Sequence, residues 1–292
     1  MYSDSSKKRG SRDRGIAPSL YDHAVFTRWL TEPFTLSLRW AHQVISRRHS
    51  SIAQLTPAAL TELFQANQHA HLPCVQFSPQ IEKMSAERYH REVCDHSRVY
   101  LKNGSNHDLL NALMWISLPL MRALTFRQMS WAKTLRDPRA PQKRSRLEDR
   151  LTLFDESGVV ILSDREELLQ LVRQRDWITL FWHKRDEVLA HLEIWVTGHG
   201  LLEQLITPFV GLVGYGRLYR LSADEWSLSG GERQRLVDRK ITEDLDQTCR
   251  RAVLELHAIP ILGYPLWCEA NNTRTFYDNA RYFRGPYTSP RD

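Results

Sequence analysis

Leu151-Thr152-Leu153-Phe154-Asp155-Glu156-Ser157-Gly158-Val159-Val160-Ile161-Leu162 places a polar centre between two apolar arms. Asp at the first position of that centre and Gly at the fourth are the residues a tight β-turn takes, so the stretch predicts two strands joined as a hairpin. Residues 177–182 and 192–197 predict further strands, and residues 75–77 a short one ahead of Pro79. Between them, residues 85–94, 166–174 and 199–206 carry helical spacing, the last following Gly198. Helices and short strands alternate with no fixed repeat. The expected fold class is therefore α+β, with central buried helices and a small, mostly antiparallel sheet in a single domain.

A chain of 292 residues suits one large domain and tolerates two. Hydrophobic residues make up 42%, with 9 Trp, which is enough apolar area to offset ordering entropy and excludes a chain disordered throughout. Residues 1–18 are polar and basic and predict a disordered tail, leaving 19–292 as the folded domain. The longest apolar run, residues 109–121, contains Asn111 and Pro119 and falls short of the ~20 residues that cross a bilayer, so it predicts a buried helix and no membrane partner. The basic N-terminus has no apolar stretch behind it, unlike a secretory signal. Cys74, Cys94, Cys249 and Cys268 form no Cys-x-x-Cys pair, so free thiols in the cytoplasm are expected.

Local chemistry sharpens some boundaries. Thr56-Pro57 is a helix start, with a Thr cap and Pro in the first position. Ser105 or Asn106 caps the buried helix, with Asp108 in its first turn where the dipole favours an anion. Leu228-Ser229-Gly230-Gly231-Glu232 resembles the signature of ATP-binding-cassette ATPases, but no Gly-rich loop ending Gly-Lys-Ser/Thr accompanies it, and it reads as a Ser-capped helix start. His69-Ala70-His71 with Cys74 reads as a helix end with two exposed imidazoles. Much of the net charge of +6 sits in residues 1–14 and in a Pro-containing basic loop, residues 133–150. Such segments meet phosphates or are simply solvated.

Asn106-His107-Asp108-Leu109-Leu110-Asn111-Ala112-Leu113-Met114-Trp115, Thr152 to Gly158, Gly198-His199-Gly200-Leu201-Leu202-Glu203, and Leu262-Gly263-Tyr264-Pro265-Leu266-Trp267 with Phe276-Tyr277-Asp278 follow one another in an order of their own. They resemble the successive blocks of a bacterial domain-of-unknown-function family, the one numbered three-zero-two-five. The chain departs from that pattern at residues 101–105, at 148–150 and at Leu266. The resemblance implies no activity.

His199 and Glu203 stand four apart, as do His107 and Asn111, so on helices each pair shares a face. Asp155 or Glu156 from the turn would complete a His/carboxylate set suited to Zn, Mn or Fe. In that reading His107, His199 and Asp155 ligate a divalent metal, Glu156 or Glu203 is the general base, Asn111 is an orienting group, and Asp108 is a further catalytic residue. Arg144 or Arg146 then holds a small anionic substrate, with Trp267 and Tyr277 as further contacts. A metal-dependent hydrolase or lyase follows. The ordinary structural reading stands beside it: His107-Asp108 caps a helix, Asp155 to Gly158 makes a turn, Glu203 pairs with an Arg, and the C-terminal aromatics close a core. The rival function is a non-catalytic module that binds nucleic acid or protein through its basic segments.

Overall fold

The computed structural model describes residues 17–66 and 74–285. The expected tail (as far as residue 16) and the His69/His71 helix end lie outside the described residues. The chain opens with three helices, α1 (His23–Trp29), α2 (Arg39–Ser46) and α3 (Pro57–Ala66). The last starts as the sequence predicts, with Thr56 Oγ1 accepting from Ala59 N. Strand β1 (Gln76–Pro79), helix α4 (Ala86–His96) capped by Ser85, and strand β2 (Arg98–Leu101) follow, with β1 and β2 parallel.

The predicted buried helix is two helices. Ser105 Oγ accepts from Asp108 N at 3.2 Å and starts α5 (Asn106–Ser117), of which residues 109–117 are all buried. Pro119 cannot continue it, because proline offers no N–H and crowds the preceding turn. The chain therefore turns by 111° at Leu118 and restarts as α6 (Pro119–Lys133). Asp238, from later in the chain, accepts from Leu120 N and Met121 N and satisfies donors that a helix start leaves open. Among the described residues no single helix is long and apolar enough to cross a membrane.

The predicted hairpin is a correction. Residues 146–157 form helix α7 (Arg146–Ser157), which runs directly into strand β3 (Gly158–Ser163). The cause lies upstream: Ser145 and Glu148 form a reciprocal capping box, and Leu147, Leu151 and Phe154 repeat at helical spacing on the buried face. The basic loop is correspondingly shorter, since Arg146 and Arg150 are helical. The predicted strand at 177–182 is likewise helical. Trp177, Leu180 and Phe181 are buried at i, i+3, i+4, Asp176 Oδ1 accepts from Thr179 N, and a π-turn spans Thr179–His183.

Helices α8 (Glu166–Gln174) and α9 (Arg185–His191), strand β4 (Leu192–Val196) and helix α10 (His199–Gln204) come next. Strand β5 (Val213–Arg220), helices α11 (Ala223–Ser227) and α12 (Gly230–Arg250), and strand β6 (His257–Pro260) complete the elements. Ser229 is at the N-cap of α12, as expected, although its side chain makes no capping bond. The larger sheet has the order β4-β3-β5-β6; β3 is antiparallel to β4 and parallel to β5, and β5 is antiparallel to β6. The class is α+β as expected, but the sheets are mixed rather than mostly antiparallel. Central β3 is buried at all six positions, which explains its unbroken apolar run. The C-terminal aromatics close the core: Trp267 packs against Phe34 and Tyr264, and the Tyr277 hydroxyl donates to Gly263 O at 2.9 Å.

Candidate metal centre

One helix end and two helix starts meet at a junction made of backbone. Gly158 O accepts from both Thr197 N and Gly198 N at 2.9 Å, which seats the start of α10 on the end of α7. A Cβ on Gly198 would lie 2.5 Å from Glu156 O and Ser157 N, so only glycine allows this approach. The junction carries Glu156 on one side and His199 on the other, and α5 packs against α10 to bring His107 to the same place. The two imidazole rings stand edge to face, 4.4 Å between centroids.

His107, Glu156 and His199 each offer a ligand atom within 4.8 Å of the other two. The hydrogen bonds decide which nitrogens these are. His199 Nδ1 lies 3.0 Å from Asp155 O, and a carbonyl only accepts, so Nδ1 carries the proton and Nε2 keeps its lone pair. His107 Nδ1 lies 3.1 Å from Glu203 Oε2, which leaves its Nε2 in the same condition. Burial, reinforced by Arg122 and His107, pulls the His199 imidazole down to about 3, so it is neutral at any physiological pH. Its Nε2 faces Glu156 Oε2 across 3.7 Å. Burial first, then Asp155, pushes the Glu156 carboxyl up. Three acceptors converge with no donor between them, an arrangement that draws in a cation or a proton. Tetrahedral zinc with bonds of ~2.1 Å spaces its ligand atoms by about 3.4 Å, close to the gap already present.

Of the sequence-predicted ligands, His107 and His199 are brought together. Asp155 is not in the triad: its carboxylate pairs with Arg122, which is 1% exposed, while Glu156 takes the place expected of it. On a helix, adjacent residues diverge by about 100°, so although both acids line the cavity, one turns to Arg122 and the other to the imidazoles. Glu203 does not share an ion with His199 but fixes His107. Asn111 orients rather than ligates, accepting from Arg122 Nη2 at 2.6 Å and donating to the Tyr89 hydroxyl at 2.9 Å. Asp108 lines the cavity but accepts from Lys102 N at 2.7 Å.

Arg122 and Tyr89 were missed in the sequence. The only signal for Arg122 is a guanidinium in the apolar first turns of α6, where it lies over the Trp115 and Phe126 rings at 5.6 and 5.3 Å. The triad opens into a cavity of about 730 Å³. Arg144 lines it as expected, together with Lys133 and Arg136; Arg146 lines a different cavity, and Trp267 and Tyr277 line neither. Within the basic segment Arg136 is already bound to Glu148, and Arg144 to Thr152 and Asp149.

A family described as a protein of unknown function (DUF3025) matches residues 75–286, which include every member of the triad and its supports. No curated protein and no solved structure matches the chain.

Proposed function

The chain belongs to the DUF3025 family, and from that premise we propose that it is a metal-dependent hydrolase acting on an elongated anionic substrate. His107, Glu156 and His199 hold one divalent cation of the Zn, Mn or Fe(II) class, through Nε2 of each imidazole and Oε2 of the carboxylate. The observation that carries this is the convergence of three acceptor atoms within 4.8 Å while both Nδ1 atoms are committed elsewhere. The ion supplies Lewis acidity at the scissile group. Glu203 Oε2 holds His107 at Nδ1, on the side of the ring away from the ion, and Glu203 does not line the cavity, so its part is to orient that imidazole. Tyr89 accepts from Asn111, which leaves its own proton to donate to substrate in the cavity.

The substrate's shape follows from the helices. Lys133 lines the cavity eleven residues along α6 from Arg122, while the Arg144 guanidinium donates to Thr152, one turn of α7 before Glu156. At 1.5 Å per residue that sets Lys133 roughly 16 Å along the helix from Arg122, with Arg144 nearer the triad. Met84, Phe126 and Met129 line the space between. A molecule with an anionic end, an apolar middle and a hydrolysable far end fits this sequence of surfaces. The free cysteines among the described residues agree with a cytoplasmic location.

The test is elemental analysis of the full chain purified without chelator, paired with calorimetric titration of Zn, Mn and Fe(II). About one equivalent of metal in the wild type and its loss in a folded His199→Ala variant are expected. Metal bound equally by wild type, His199→Ala and Glu156→Gln, or by none of them, would end the proposal.

A further inference from the structure

A second cavity, of about 910 Å³, shares no lining residue with the first. Arg150 reaches it from α7, Arg175 from the end of α8, and Arg281 and Arg284 from the C-terminal segment; Tyr215 and Asn279 are its other polar walls. No Asp or Glu lines it. Elsewhere the fold sets its arginines against acids: Arg122 on Asp155, Arg136 on Glu148, Arg217 on Asp244 and Arg233 on Glu193. Arg150, Arg281 and Arg284 have no carboxylate partner among the described residues; of their guanidinium groups, that of Arg284 donates from Nε to Arg281 O. Like charges gathered round one space repel, and the cheapest relief is an anion brought in from solvent.

The walls are held in place. Trp177 Nε1 donates to Arg284 O at 2.8 Å, the Tyr282 hydroxyl donates to Leu212 O at 2.8 Å and accepts from Leu262 N, and both rings are buried. The C-terminal arginines are therefore anchored at the cavity rather than trailing from a loose end. Planar guanidinium forks match the oxygens of phosphate in pairs.

We propose that this cavity is a binding site for a compact polyphosphate anion, separate from the His/Glu centre. Cations converging from three chain segments on one ligand-sized space suit a compact anion better than a strand laid along a face. The experiment titrates the full chain, in excess chelator at several salt concentrations, with inorganic pyrophosphate, with ATP and with a single-stranded oligonucleotide. Saturable 1:1 binding of pyrophosphate or ATP is expected, with log affinity falling as log salt rises. Tighter binding of ATP than of pyrophosphate would assign the source as a nucleotide, and equal binding as the phosphates alone. Arg281→Ala with Arg284→Ala, and separately Arg150→Ala, should each weaken it at least tenfold without moving the melting temperature of the unliganded protein. The proposal fails if neither small anion saturates, if both variants bind as the wild type does, or if only the oligonucleotide binds.

Discussion

At the residue scale, the two neighbouring acids make the sharpest contrast. Asp155 faces Arg122, and removing its charge leaves a guanidinium buried without a counter-charge, with Asn111 as its neutral acceptor. Asp155→Asn should therefore cost about 3–5 kcal/mol, read from chemical denaturation. Glu156 is 45% exposed, so Glu156→Gln should change stability by less than about 0.5 kcal/mol while abolishing stoichiometric metal. Equal stability losses in the two variants would show that the assignment is reversed. Glu203→Ala keeps the metal ligands and removes the acceptor that orients His107, for an expected loss of about 10–100-fold in metal affinity. The histidines were legible because cap and dipole signals placed both at helix starts. Which acid does what was not, because a turn reading leaves two neighbours equivalent and only a helix sends them to different faces.

At the scale of elements, the α7–β3 passage decides the site. Its sequence reads as a hairpin when taken alone, and the capping box at Ser145 and Glu148 overrides it from outside the quoted stretch. A twelve-residue helix thus ends where a turn was expected, and the ligand acid rides its last turn. The glycines at this junction separate two kinds of cost. Gly198→Ala sets a Cβ against the backbone of Glu156 and Ser157, which cannot yield, and should destabilise by about 3 kcal/mol. In Gly200→Ala the Cβ lies 2.5 Å from Glu156 Oε2, the far end of a side chain that can swing away. That variant should melt near the wild-type temperature yet bind metal at least tenfold more weakly by calorimetry; wild-type affinity would show that Glu156 is not a ligand.

At the scale of the whole molecule, stability should carry an acid signature. Arg136 holds the Glu148 carboxyl well below its ordinary value, to about 2, against the opposing effect of burial and with help from Ser145 N. A carboxyl lowered on folding stabilises above its unfolded value, and that contribution disappears as pH falls from about 4.5 towards 2. Glu148→Gln should remove about 2–3 kcal/mol at pH 7 and flatten the loss of stability across that window; an unchanged acid slope would place the linkage elsewhere. The class of the fold was legible because buried β3 and the amphipathic helices announce themselves. The mixed direction of the sheet was not, since strand direction depends on long-range crossovers that local pattern does not encode. The welding of α7 to α10 through main-chain atoms divides the protein into a chassis and interchangeable fittings. Met84, Met129 and Arg144 line the cavity without belonging to the weld. They can be traded for other side chains while the imidazoles and the acid stay where they are, so this scaffold is open to retargeting towards new molecules by a handful of exchanges.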